Sequence, residues 1–103
     1  MTDSEFHQQV DELLISFEEI IDNSDVELDY ENSNSILTLY CRDGSQIIMN
    51  KQAPLHQLWV ATKANGHHFA FINDAWIDNR TQQELSQVLT EAVKNQGGEN
   101  VSF

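Results

Sequence analysis

Apolar residues recur at three- and four-residue steps near the start of the chain, and this spacing predicts an amphipathic helix. The repeating positions are Phe6, Val10, Leu13, Leu14, Phe17, Ile20 and Ile21. At about 100° per residue they fill one arc of about 120°, the usual width of a stripe that faces a core. Thr2 and Glu5 have the spacing of a capping box, Asp3 is the alternative N-cap, and residues 23–24 end the pattern.

Short runs of alternating apolar and polar residues follow, and such runs are typical of half-buried β-strands. They cover residues 26–31, 36–41, 46–50, 57–62, 67–72 and 76–78. Asp43 and Gly44 form a strong hairpin signal, and further turns are predicted at residues 32–35 and 65–66. Pro54 interrupts the series because proline cannot donate a ladder hydrogen bond. The runs therefore predict an antiparallel meander.

A second amphipathic helix is predicted after the meander. Thr81 and Glu84 have capping-box spacing there. The apolar stripe behind them consists of Leu85, Val88, Leu89 and Val93, and the glycines at 97–98 end it. The order helix, meander, helix predicts one α+β domain over residues 1–103. Its architecture would be a two-layer sandwich with both helices on one face of an antiparallel sheet, the other face being left to water or to partners.

The net charge of −12 is concentrated near the N-terminal end. Residues 1–31 hold eleven acidic residues and no lysine or arginine. Such a surface repels nucleic acids and anionic membranes, so neither is expected as a partner, and it attracts cations and basic protein surfaces. The alternative is that the acidity is only an aid to solubility or an adaptation to salt.

Cys41 is the only cysteine, so no disulfide can form within the chain, which fits a reducing compartment. Its alternation with Leu37 and Leu39 predicts a buried thiol rather than a catalytic one. No apolar run approaches roughly 18 residues and no basic leader precedes the first helix, so a cytoplasmic protein is expected. Phosphate-binding loops, nucleophile elbows and zinc-protease motifs are missing, so the chain is not expected to be an enzyme.

Acidic residues cluster on one side of the first helix and continue into the next segment. Those on the helix are Asp11, Glu12, Glu18, Glu19 and Asp22, and those that follow are Asp25, Glu27, Asp29 and Glu31. Carboxylates without cysteine or clustered histidine suit hard cations such as Fe³⁺, Mg²⁺, Ca²⁺ or Mn²⁺, and without an enclosing cage the binding should be weak. The alternative is a solvated helix face beside an edge strand whose charges prevent aggregation.

Histidines suggest a second, softer metal position. Asp3, His7 and Asp11 follow one another at i,i+4 steps on the predicted helix, although an exposed helical histidine is usually inert. His67 and His68 are adjacent on a predicted strand, so their rings should point to opposite faces. They are therefore not expected to bind one ion together.

An exposed tryptophan is the second candidate for a binding surface. Leu58 and Val60 share the face expected to meet the helices, so Gln57 and Trp59 should point to the open side of the sheet. A tryptophan on a polar sheet face is a plausible anchor for a partner, the alternative being that it packs flat on its neighbours. Ile15, in the middle of the acidic helix face, is a further candidate contact.

The segment from residue 50 to residue 59 resembles the signature of the frataxin family. The matching positions are Asn50, Gln52, Pro54, Gln57 and Trp59. The similarity continues through Gly66, His68, Phe69 and Trp76, and into the first helix at Glu18, Glu19 and Asp22. It spans essentially the whole chain in order and is greatest for the bacterial members.

The resemblance implies the sandwich fold and a role in iron–sulfur cluster assembly. It implies weak binding of iron, as Fe²⁺ or Fe³⁺ with other divalent cations as substitutes, at Glu18, Glu19, Asp22, Asp25 and Asp29. It also implies two partners, a cysteine desulfurase and the scaffold protein on which clusters form. The residues expected to bind partners are Asp11, Glu12, Ile15, Glu18, Glu19 and Asp22 on the helix, and Asn50, Gln52, Gln57 and Trp59 on the sheet. The chain is expected to be a monomer that can form oligomers with iron.

Two other functions compete with this hypothesis. A ferroxidase or iron-storage protein would need enclosed ligands supported by histidine. An acidic decoy that mimics nucleic acid would account for the charge, but it would leave the exposed position of Trp59 without an explanation.

Overall fold

A six-stranded antiparallel sheet forms one layer of the molecule, and in the computed structural model, which describes residues 1–103, strands that are adjacent in sequence are adjacent in space. The strands are β1 (Asp29–Ser33), β2 (Ile36–Tyr40), β3 (Gln46–Gln52), β4 (Gln57–Ala61), β5 (Gly66–Ile72) and β6 (Ala75–Asp78). Helices α1 (Asp3–Asp22) and α2 (Leu85–Gly97) pack on one face, and a single 3₁₀ turn (Ala53–Leu55) separates β3 from β4. The predicted two-layer α+β sandwich is confirmed.

The predicted capping box starts α1. The Thr2 hydroxyl accepts a hydrogen bond from the Glu5 backbone N–H at 3.1 Å, and the Glu5 carboxylate accepts one from the Thr2 N–H at 3.2 Å. These bonds to Thr2 hold the pKa of Glu5 below its ordinary value. The predicted apolar stripe faces the sheet, with five of its seven members buried and Leu13 and Ile20 packed at its margin.

One core of 21 buried apolar residues joins the two layers. Strands β2 to β6 contribute alternate residues, such as Leu37, Met49, Leu58 and Phe69, all of which are fully buried. Cys41 is also buried, as predicted, and burial raises the pKa of its thiol. The stripe of α2 and the tail residue Val101 join the stripe of α1 in covering this face of the sheet.

The first strand lies further along the chain than the sequence pattern predicted. The expected run was 26–31, but β1 begins at Asp29 and pairs through Ser33 with Ile36 of β2. The turn consists only of Asn34 and Ser35, which have φ values of 53° and 62°. Two residues with positive φ fit the twist of antiparallel strands, so pairing reaches closer to the turn than the polar run 32–35 suggested.

The start of the second helix was also predicted wrongly. Thr81 caps no helix: its hydroxyl accepts a hydrogen bond from the Gln83 N–H in a turn, and Gln82 has a φ of 64°, which no right-handed helix allows. Helix α2 begins at Leu85, after Glu84 in an extended conformation that bridges to Ile77 of β6. The predicted end is confirmed, since Gly98 adopts a left-handed conformation with a φ of 72° and donates to the Lys94 carbonyl.

Candidate functional site

The acidic residues of α1 and of the segment after it form one exposed surface, which we call the acidic ridge. It comprises Asp11, Glu12, Glu18, Glu19, Asp22, Asp25, Glu27, Asp29 and Glu31. All are exposed except Glu18, which is half-buried. No group of three or more His, Cys, Asp or Glu side chains is close enough together to hold a metal ion. The ridge is therefore a region of high negative charge density rather than a preformed cage of ligands.

Two ridge carboxylates are held against β1 by neutral donors. The Tyr30 hydroxyl lies 2.9 Å from both carboxylate oxygens of Asp22, and the Asn32 side-chain amide donates to Glu18 at 3.1 Å. The bond to Asp22 raises the pKa of Tyr30, with partial burial and the nearby charges of Asp22 and Glu18 adding to the effect. These contacts position Asp22 and Glu18 through neutral donors, so neither carboxylate is paired with a basic side chain.

The predicted softer metal position is divided between Lys51 and His56. Lys51 of β3, only 12 % exposed, donates to Asp11 at 2.9 Å and to His7 Nδ1 at 3.1 Å. Asp3 instead lies 2.6 Å from Nε2 of His56. Asp3 therefore contacts His56, whereas His7 and Asp11 contact Lys51, and the three side chains do not converge on one metal position. Sequence reasoning missed Lys51 because it lies 40 residues from Asp11.

The outer side of strands β2 to β6, which we call the open face, carries no Asp, Glu, Lys or Arg. Its residues alternate with the buried ones, and the strand register places Asn50 beside Trp59 and Gln52 beside Gln57. The four sheet residues expected to bind a partner therefore share this face. A shallow depression of about 250 Å³ beside Trp59 is lined in part by Ile48, Asn50 and Ala61.

Trp59 is half-buried and held on both sides by neighbours on the open face. Its ring stacks on His68 of β5 with a centroid distance of 4.2 Å and an interplanar angle of 10°. Its indole N–H donates to the Gln57 side chain at 2.9 Å. The predicted orientation is confirmed, and the flat packing that was the alternative is present as well. The result is an indole fixed in position with part of its surface open to solvent.

A buried histidine–aspartate pair joins β5 and β6 on the face of the sheet that the helices cover. Nδ1 of His67 is 2.6 Å from Oδ2 of Asp78, and these side chains are 8 % and 1 % exposed. Burial acts to raise the pKa of Asp78, but hydrogen bonds from the Arg80 N–H, His67 and Thr81 outweigh it and lower that pKa. As predicted, His67 and His68 point to opposite faces. Their different partners were not foreseen.

Neither helix combines the length and the apolar composition that a membrane-spanning segment requires.

Comparison with known proteins gives one consistent result. The family model described as "Frataxin-like domain" matches residues 1–99. The "Iron-sulfur cluster assembly protein CyaY" of Pseudoalteromonas atlantica is 52% identical over all of this chain and 95% of its own length. The protein of the same name from Colwellia psychrerythraea is 48% identical over 93% of this chain and 91% of its own length.

Solved structures agree with the sequence relatives. A frataxin from Psychromonas ingrahamii, described as a model for stability within the CyaY family, superposes with a TM-score of 0.94 at 42% identity and covers 99% of this chain and 97% of its own. A trimeric frataxin from Saccharomyces cerevisiae, complexed with ferrous iron, gives a TM-score of 0.72 at 29% identity, over 92% of this chain and 87% of its own.

Proposed function

The chain belongs to the frataxin family, and from this premise we propose that it is an iron-binding regulator and adaptor of iron–sulfur cluster assembly. It binds iron weakly on the acidic ridge and docks on the complex of cysteine desulfurase and scaffold protein in the cytoplasm. The observation that carries the proposal is the division of the surface into two chemically different regions. The acidic ridge is densely charged, whereas the open face has no charged residue and presents a fixed tryptophan.

The metal part of the proposal rests on the chemistry of the acidic ridge. Glu18, Glu19, Asp22, Asp25 and Asp29 offer only carboxylate oxygens, which suit Fe²⁺, Fe³⁺ and other hard divalent cations. Because these groups are open to water, affinity is low and selectivity is poor. Asp3, His7 and Asp11 form a still weaker site, because a metal there has to displace the Lys51 and His56 contacts.

The partner part rests on the difference between the two surfaces. A basic surface of the desulfurase is attracted to the acidic ridge, where Ile15, 52% exposed, supplies one apolar contact among the acids. The scaffold protein contacts the open face, where Trp59 with Asn50, Gln52 and Gln57 forms a neutral patch suited to close packing. The chain acts as a monomer, and iron promotes oligomers by neutralising ridge charge.

A reconstituted assembly reaction tests the proposed function. We expect the chain to change the rate of cluster formation on the scaffold when desulfurase, cysteine and iron are supplied, as followed by visible absorbance. Trp59→Ala should remove this effect while leaving desulfurase binding intact, because Trp59 lies outside the acidic ridge. A rate that is the same with and without the wild-type chain would contradict the proposal.

Divalent cations are expected to stabilise the folded chain more than sodium at equal ionic strength. A cation that binds only the folded ridge stabilises it by mass action, about 1.4 kcal/mol at ten times its dissociation constant. For a domain of this size that corresponds to a rise in melting temperature of about 6 °C. Calorimetric scans with Mn²⁺, Mg²⁺ and anaerobic Fe²⁺ measure the rise.

Paired variants separate site binding from screening. Glu18→Gln with Asp22→Asn should lose most of the metal-dependent rise, whereas Glu84→Gln with Glu91→Gln, an equal change of charge on or beside α2, should keep it. Equal effects of sodium and divalent ions would indicate simple screening and remove the metal site. Iron oxidation that saturates at a fixed stoichiometry would instead indicate a ferroxidase.

A further inference from the structure

Arg80 is a cationic side chain without an acidic partner in a chain of 17 acidic residues. Of the five basic residues, Arg42, Lys51 and Lys63 form ion pairs, while Arg80 and Lys94 form none. Lys94 has an evident local role, since it lies in the last turn of α2, where a positive charge stabilises the helix dipole. Arg80 lies in the turn after β6 and has no such role.

The backbone around Arg80 fixes where its guanidinium lies. The guanidinium donates to the Gly66 carbonyl at 3.2 Å, at the start of β5. The Arg80 backbone N–H donates to Asp78 at 2.9 Å, and the Asn79 N–H donates to the His68 carbonyl at 3.0 Å. The side chain is therefore held at the border of the open face, next to the residue that stacks on Trp59.

A small polar depression lies at this border. Its volume is about 120 Å³, and its lining consists of Gly66, His68, Asp78, Asn79 and Arg80, with no apolar residue. Asp78 is the only acid among them, and its carboxylate is turned inward to His67. The groups available to a ligand are thus a guanidinium, an imidazole and a side-chain amide, which can all donate hydrogen bonds to an anion.

We propose that this depression binds one carboxylate side chain of the protein that docks over Trp59. The identity of that protein as the scaffold rests on the proposed function, whereas the carboxylate preference rests on Arg80, His68 and Asn79. Charge complementarity supports a carboxylate, because the fork of a guanidinium matches its two oxygens. The rest of the open face is uncharged, so no other ion pair there can orient a partner. The contact with Arg80 would therefore fix the orientation in which an apolar partner surface packs on Trp59.

A small carboxylate tests the site without any partner. We expect acetate, added against sodium chloride at constant ionic strength, to give saturable NMR shifts of the Arg80 Nε–H, the Asn79 amide and the His68 ring. Arg80→Gln should abolish the shifts of Asn79 and His68, and Lys94→Gln, which removes the other unpaired base, should leave all three unchanged. Shifts that are absent, unsaturable or preserved in Arg80→Gln would overturn the proposal, as would a site that takes inorganic phosphate and not acetate.

Titration with the purified scaffold protein tests the docking role. Arg80→Gln removes one arginine–carboxylate pair, so it should weaken scaffold binding about tenfold and reduce the salt dependence of that binding. Arg80→Lys should lose less affinity. Lys94→Gln should bind as the wild type does. Equal affinity for Arg80→Gln and Lys94→Gln would overturn the docking role. If the wild type binds acetate at Arg80 but not the scaffold, the proposed partner is wrong and the carboxylate site remains.

Discussion

Replacing Asp78 by alanine is expected to lower the free energy of unfolding by about 3 kcal/mol. The carboxylate is almost fully buried and accepts hydrogen bonds from His67 and from the Arg80 backbone. Its removal leaves the buried His67 ring without its partner and frees the Arg80 backbone N–H, and an unpaired buried polar group costs more than the bond itself was worth. Urea unfolding at pH 7, followed by far-UV circular dichroism, measures the loss.

The pH dependence of this effect has a definite sign. The pKa of Asp78 is lower in the folded protein than its ordinary value. The ionised carboxylate therefore contributes its full stability above about pH 4, the ordinary carboxyl pKa. That contribution is lost as the pH falls through the folded pKa. The difference between wild type and Asp78→Ala should therefore be largest near neutral pH and shrink below about pH 4.

An exposed aspartate supplies the matched control. Asp25 is exposed and makes no hydrogen bond, so Asp25→Ala should change stability by no more than about 0.5 kcal/mol and show no comparable pH dependence. A similar small change in Asp78→Ala would mean that the His67–Asp78 contact does not stabilise the pairing of β5 with β6. A loss that persists undiminished at acid pH would exclude ionisation of Asp78 as its cause.

The elements that were predicted correctly are those with strong local signals. Helix α1 has a capping box and an uninterrupted apolar stripe. Both signals consist of residues close together in the sequence, so they can be recognised without knowledge of the tertiary structure. The alternation around Trp59 likewise settled which side chains face outward, because the period of a strand is two residues. The two errors fall where ordinary residues adopt positive φ, at Asn34 and Ser35 and at Gln82. A glutamine in that conformation leaves no signal in the sequence.

Contacts between distant segments could not be predicted in the same way. Lys51 meets His7 and Asp11 only because β3 passes beneath the first half of α1, and His67 meets Asp78 only through the pairing of β5 with β6. For the acidic ridge, the sequence placed the carboxylates on one helix face but did not show that Tyr30 and Asn32 hold two of them against β1. The roles of the ridge residues in binding remain predictions.

The acidic ridge is expected to serve iron and the desulfurase at once, because both are attracted by the same negative charge. A basic partner steered to the ridge should associate more weakly as salt concentration rises. Iron bound there neutralises part of the charge that the partner needs. Each ligand should therefore change the affinity of the other by an equal factor, which calorimetry of the desulfurase with and without Mn²⁺ measures.

Reversing the charge of Glu18 and Asp22 to lysine is expected to abolish desulfurase binding, a loss of about a hundredfold or more, since like charges then face each other across the interface. This variant also loses the bonds to Asn32 and Tyr30, so Glu12→Lys with Glu19→Lys, which breaks no contact with β1, provides a second test on the same face. Glu84→Lys with Glu91→Lys is the matched control for net charge and should bind normally. Calorimetry at two salt concentrations distinguishes the four proteins. If both ridge variants, folded by circular dichroism, bind the desulfurase as the control does, the partner does not use the acidic ridge.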